Sequence, residues 1–414
     1  MTAPAKRSAR AINLAPLGRH SRYMLASYLR HIFMVAAALM LIALTIDLWP
    51  QIPLLATGSG HGSFGVAFSI VRLAGLRICD LLPPFIPFAT FLGVVWSEVA
   101  FTASQERMLI WNSGRSPLQC LTPALMTGLL MGGLLFGMDA FMRPAAIHVQ
   151  IAEKFGREGL RLDRSQSGGN HWVALPDGLL RAEIEYGPPL KLHNATIYKF
   201  DSDGLLNEVD TAVLATPAAS GPTPGQWLLQ NGHYWKAPPA GDAPLSLGAT
   251  REEPEVLFSR RSIPMTLNVL WLGNLGMSPQ YLTMTQLRSL AQARIVSSDA
   301  AGFSTRLQAL YGEIFLPGLM AVLAASLAML FFPYTIRPFA MIGVLMAGYL
   351  AHFSVTAFLL MGEFGYVRSA VAGWFVPLLI LLGIGGVLHV IQKRRGLGAV
   401  LHDTPALESV ESGL

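Results

Sequence analysis

The stretch TASQERMLIWNSGRSP (residues 102–117) is a short polar island between two long apolar runs, 81–101 and 118–141. It carries a full set of helix signals. Ser104 is placed to act as N-cap, and Glu106 in the first turn complements the positive end of the helix dipole. Gly114 supplies a left-handed stop, and Pro117 bars continuation. The spacing predicts a helix within 104–114, about two turns long, lying outside the bilayer and too short to stand alone in water. It needs a support, either the membrane surface or a partner protein, and the identity of that support decides the function.

Composition puts the flanking runs in a membrane. Of 414 residues, 52% are hydrophobic and only 13% charged, where soluble domains run nearer one-quarter charged. A spanning helix needs roughly 20 mostly apolar residues. Six segments qualify: 32–49, 81–101, 118–141, 314–332, 339–360 and 370–391. Between the third and fourth lies a long polar region.

Lys and Arg set the orientation. Lys6, Arg7, Arg10, Arg19, Arg22 and Arg30 precede the first span, Arg107 and Arg115 lie in the island, and Lys393, Arg394 and Arg395 follow the last span. Short connections on the opposite side carry only Arg72, Arg77 and Arg368. The positive-inside rule therefore places both termini and the island in the cytoplasm and the polar region outside. The net charge of +5 is mostly this asymmetry and gives no reason to expect nucleic acid. Cys79 and Cys120 fall near opposite faces, too far apart for a disulfide.

Expected boundaries follow from this reading: a basic cytoplasmic tail over 1–20, spans 1–3 with the island helix over 21–142, and an outer β domain over 143–277. An interfacial helix and spans 4–6 occupy 278–392, and a cytoplasmic tail 393–414. Residues 64–80 show apolar side chains at helical spacing (Phe64, Phe68, Val71, Ile78) with Arg72 and Arg77 interposed, which suggests an amphipathic helix in the outer interface. Asp47 reads as an interfacial acid near the outer end of span 1. In the third span Gly128, Gly132, Gly133 and Gly137 give two GxxxG spacings, a face for close helix packing, and Gly383, Gly385 and Gly386 suggest the same for the sixth.

The outer region reads as β. HWVAL (171–175), LLRAEIEY (179–186), NATIYKF (194–200), LLNEVDTAVLAT (205–216) and QWLLQNGHYWKA (226–237) alternate in part, with turn signals at 176–178, 187–189, 201–204 and 220–225. Such spacing suggests an antiparallel sandwich or open roll. Ser278 is the expected N-cap of a helix over 278–293.

Catalytic signatures are missing from the sequence. It has no GxxxxGK[ST], no HExxH and no GxSxG. His31, His352 and His389 stand singly in or beside spans, and Glu252-Glu253 and the Glu183, Glu185 pair read as solvated surface charge. No cofactor, metal site or catalytic residue is expected.

Three spans around a cytoplasmic connector, an outer β domain and three more spans form a layout that resembles the LptF/LptG (YjgP/YjgQ) family of lipopolysaccharide-export permeases. Local stretches carry the resemblance too: SRYMLASYLRHIF (21–33), LLPPFIPFATFLGVVWSE (81–98), QERMLIWNSGRSP (105–117), NATIYKFDSDGLL (194–206) and RLQALYGEIFLPGLMAVLAASLAML (306–330). Connector and last spans lean toward the LptG type. Members of that type carry Lys near the outer end of the first helix, whereas DLWPQIPLLATGSGHG (47–62) has neither Lys nor Arg.

The resemblance implies a non-catalytic subunit of the inner membrane of a Gram-negative bacterium with a periplasmic jelly-roll-like domain. A paralogous membrane subunit, a dimeric cytoplasmic ATPase, a periplasmic β-jellyroll bridge protein of LptC/LptA type and lipopolysaccharide would be its partners. Glu106, Arg107, Met108, Trp111, Ser113 and Gly114 would then couple to the ATPase, and Arg72, Arg77 and Arg143 are candidates for lipid-phosphate contacts. A competing reading from a different class is a membrane-anchored enzyme of envelope lipid or glycan metabolism with the β domain as substrate module.

Overall fold

The structure is a computed structural model that describes residues 18–53, 63–112, 116–166, 169–186, 189–218, 225–237, 255–265, 267–292 and 299–402. Both chain ends, Ser113, Gly114, the turn clusters near 57–62 and 220–224, and the Glu252-Glu253 pair lie outside the described residues.

Among the described residues, five helices are long and apolar enough to cross a membrane, and a bent pair, taken as one span, makes a sixth. The first is α1 (Arg19–Leu48), followed by α2 (Ser63–Leu81). Next, Pro83 and Pro84 start a 3-10 turn that leads into α3 (Ile86–Ala103), prolines being tolerated where a first turn has no N–H bonds to lose. After the island helix α4 (Glu106–Asn112) comes α5 (Pro117–Gly137), capped by a reciprocal pair: Gln119 N–H donates to the Ser116 hydroxyl, and Ser116 N–H to the Gln119 side chain.

α5 runs through a π turn at Met138–Met142 into α6 (Arg143–Ala152), and α7 (Gly156–Gln166) follows. The polar region expected to open at Arg143 therefore begins as helix. Its first ten residues keep an apolar side, Ala146 and Ile147 being buried.

The fourth span is the bent pair. α10 (Asp299–Glu313) meets α11 (Leu316–Phe331) at 50°. Pro317, at the start of α11, removes a backbone donor there. α12 (Pro338–Glu363) and α13 (Ser369–His402) complete the helices.

α3, α5 and α11 form the middle of the bundle. The Gly128 and Gly132 spacing is what lets α5 reach α11: a Cβ on Gly128 would lie 2.4 Å from the Gly318 Cα, and one on Gly132 would lie 2.0 Å from the Ile314 carbonyl oxygen. The offset pair Gly133 and Gly137, and Gly383, Gly385 and Gly386 of α13, meet nothing within 4 Å. Among the described residues of this chain, therefore, no helix packs on those glycines.

In α2 the apolar stripe also points outward. Phe68 and Val71 are exposed while Leu73 and Arg77 are buried, so the helix turns Arg77 inward and those apolar side chains to the surroundings.

Six strands form one antiparallel sheet in chain order: β1 (Asn170–Leu175), β2 (Gly178–Glu185), β3 (Lys191–Phe200), β4 (Leu206–Pro217), β5 (Gln226–Lys236) and β6 (Val256–Pro264). The open arrangement thus holds among the described residues, with β6 added to the five strands read from sequence. Period-2 alternation, broken once in β3 at Asn194 (φ 49°), puts Val173, Leu180, Ile184, Leu192, Ile197, Trp227 and Ile263 on one buried face. That face shares a second core with Ala140, Ile147, Leu162, Trp271, Leu272, Leu287 and Leu310. Asp210, also fully buried, is held by Lys199 at 3.1 Å and Arg261 at 2.7 Å.

α8 (Val269–Leu272) and α9 (Met284–Gln292) lead back to the membrane helices. Ser278 is not the cap of α9. It opens a separate 3-10 turn (Pro279–Tyr281), and extended backbone at Leu282 breaks the path. Thr283 takes the role instead, its hydroxyl accepting from Gln286 N–H while its own N–H donates to the Gln286 side chain.

Candidate functional site

The island is folded back onto the end of α3. Gln105 adopts φ of 62°, which reverses the chain between α3 and α4. This displaces the expected cap: Ser104 N–H bonds the Ala100 carbonyl at 3.0 Å and its hydroxyl the Phe101 carbonyl at 3.4 Å. Ser104 therefore finishes α3 and does not start α4. The first bond of α4 runs from Met108 N–H to the Gln105 carbonyl at 3.1 Å.

The reversal sorts the island's side chains. Arg107 is turned inward and is 2% exposed, whereas Met108 is 41% and Leu109 71% exposed. Glu106 is half-buried and accepts a 3.4 Å hydrogen bond from the Tyr23 hydroxyl. The side chain of Trp111 lies outside the described residues.

Arg107 forms an ion pair with Glu98 of α3, which is itself 1% exposed. The other carboxylate oxygen of Glu98 accepts from the hydroxyl of Tyr28 on α1, a residue with no exposure. Beside this group, Thr102 donates to the Phe332 carbonyl at 3.2 Å and so ties α3 to the end of α11. One helical turn deeper, the Ser97 hydroxyl and His31 Nδ1 are 2.8 Å apart, a packing and hydrogen-bonding place for that histidine.

At the opposite end of the bundle a longer network crosses the molecule. Arg77 donates from Nε and Nη2 to the two oxygens of Asp47 at 2.7 and 2.8 Å, and from Nη1 to Asp80 at 2.8 Å. Arg143 donates to Asp80 at 3.0 Å and to Asp139 at 2.5 Å. Arg306 then pairs with Asp139 at 2.5 Å and with Glu313 at 2.9 Å. Asp139 sits in the π turn, which presents it to Arg143 four residues on and to Arg306 of α10.

Tyr281 donates to Asp80 at 3.4 Å, and burial together with that carboxylate pushes its hydroxyl above the usual range. Four carboxylates thus face three guanidinium groups from α1, α2, the π turn, α6 and α10.

The three candidate phosphate contacts divide accordingly. Arg77 and Arg143 are buried and committed to carboxylates; Arg72 is half-exposed and pairs with Glu153 at 2.6 Å across the surface. Beside Asp47 an apolar groove of about 500 Å³ is lined by Leu39, Ile42, Ile46, Leu81 and Phe85, with Arg157 at its edge. Neither Cys79 nor Cys120 is in a disulfide, and no His, Cys, Asp and Glu cluster suited to a metal ion occurs among the described residues.

Sequence reasoning passed over Glu98, Tyr28, Asp80 and Asp139. For Glu98 and Asp139 a signal was present, because each is the one ionisable residue inside its long apolar run. Tyr28 gave none.

Search of curated proteins finds no match for this chain. A family model described as "Lipopolysaccharide export system permease LptF/LptG" matches residues 22–389, nearly the whole length, without separating the LptF from the LptG type. The match takes in the six apolar helical segments, the island and the sheet, the same parts that carry the resemblance in the sequence. This chain therefore belongs to the LptF/LptG family of lipopolysaccharide export system permeases.

Proposed function

We propose that this chain is one of two paralogous inner-membrane subunits that extract lipopolysaccharide and pass it to a periplasmic bridge protein, with ATP hydrolysed by a separate dimeric cytoplasmic ATPase. The observation that carries this reading is the family match joined to a folded-back island whose Met108 and Leu109 project away from the chain. Exposed apolar side chains beside an acid suit a groove on a partner better than water. Glu106 makes one long hydrogen bond within the chain and is free to form a charge-assisted contact with a basic group. Both termini and the island are cytoplasmic on this reading, the sheet periplasmic.

The lipid path follows from which helices lack intrachain cover. In an apolar window of 18 residues, only 17% of α1 and 17% of α12 are buried, against 67% for the second span. Those open faces suit acyl chains and the second membrane subunit. The groove beside Asp47 supports the same placement, and Arg72 is the cation we assign to lipid phosphate. A phosphate at Arg77 or Arg143 would have to displace Asp80 or Asp139. Among the described residues β1 and β6 are the edges of the sheet, and β6 leaves Val256 and Leu257 exposed, which suits strand pairing with the bridge.

Co-purification tests the reading. The wild-type chain extracted in mild detergent should retain an ATPase subunit, and Glu106→Arg should lose it along with ATP-driven export. A Glu106→Arg chain that keeps both would end this assignment.

A further inference from the structure

Arg107 is an odd residue for a partner-facing helix, because its guanidinium points into the bundle and reaches Glu98. Two buried charges that pair across a chain reversal give that reversal one geometry, since any other leaves a charge unmatched in an apolar setting. Tyr28 adds the first span, donating to the same carboxylate from α1. Three elements that share no secondary structure, α1, α3 and α4, thus meet at one carboxyl group.

We infer that Glu98, Arg107 and Tyr28 form a positioning joint that fixes the island helix to the first and second spans, so that displacement of the helix moves both. The outward residues Glu106, Met108 and Leu109 receive the push; the inward triad delivers it. In its transport role the inference rests on the coupling reading above. The joint itself does not, because it lies wholly within this chain.

Amide hydrogen exchange of the full chain in lipid nanodiscs tests it. Wild-type amides at 108–112 should be protected, and Glu98→Gln should speed their exchange about tenfold without a matching change in α5 or α11. Tyr28→Phe keeps the ring and its packing, so it folds even where Glu98→Gln does not. It should give the same change at smaller size, and Glu98→Asp should restore part of the protection. A role in general stability would instead raise exchange throughout the bundle. Unprotected wild-type amides, or island exchange unaltered in both variants, would overturn the joint.

In the reconstituted complex, Glu98→Gln and Tyr28→Phe should retain the ATPase subunit yet extract several-fold less lipopolysaccharide per ATP hydrolysed. An unchanged ratio with faster island exchange would overturn its role in transmission. If the wild-type chain holds no ATPase, the coupling reading fails and the exchange result still decides the joint.

Discussion

The bundle buries charge at both ends, and the two ends are built differently. At the island, one Glu–Arg pair and one tyrosine join α3 to α4, residues nine apart in sequence, and only Tyr28 comes from farther away. At the opposite end, an alternating chain of acids and arginines runs from Asp47 to Glu313 and links α1, α2, the π turn, α6 and α10. A local pair can shift with its helix. A network whose inner members each serve two partners cannot move at one point without stranding charge at another. The end with the network is thus suited to act as a frame, and the island end as a joint.

The sharpest way to break that contrast is Asp139→Asn, which removes the acid shared by Arg143 and Arg306. Arg143 keeps Asp80 and Arg306 keeps Glu313, but removing one partner of a buried ion pair costs roughly 3–5 kcal/mol. Thermal unfolding in nanodiscs should show a large loss; a shift within error would mean the network frames nothing.

Next in size is an added methyl at the α5–α11 contact. Gly132→Ala forces a Cβ against the Ile314 carbonyl, and overpacking of this kind costs about 1–3 kcal/mol. The same change at Gly133, which faces open space within the chain, should leave stability unaltered in the isolated subunit.

Smallest in stability, and most telling for the comparison, is the double variant Glu98→Met with Arg107→Leu. Apolar replacement of a whole buried pair is often neutral or stabilising. The double variant should unfold within about 1 kcal/mol of wild type, on the same expectation for replaced pairs, while export per ATP falls. Loss of stability on the scale of Asp139→Asn would erase the distinction between frame and joint.

Much of the fold could be read from the sequence because it follows from simple periodicities. Long apolar runs gave the spans, alternation in 171–175 and 226–237 gave strands, and Gly128 and Gly132 marked a close helix crossing. What escaped depends on long-range pairing. Nothing local indicates that Arg77 will bind Asp47 thirty residues earlier, or that Tyr28 will reach Glu98.

Capping erred at Ser104 and Ser278 for a related reason. A hydroxyl before a helical stretch can serve the preceding turn as well as the following one, and only the backbone path decides between them. The exposed β6 was missed because its burial barely alternates. Within the candidate site, Glu106 and Met108 face outward as their island position suggested, while Arg107 turned inward to an acid that sequence spacing alone did not pair with it.

The account depends most on the side of the membrane that the island occupies. In a chain with Cys79 and Cys120 replaced by serine, Met108→Cys gives one exposed thiol for a membrane-impermeant maleimide. The account predicts no labelling in intact spheroplasts and full labelling once the inner membrane is opened. Labelling of that thiol from outside sealed spheroplasts would contradict it.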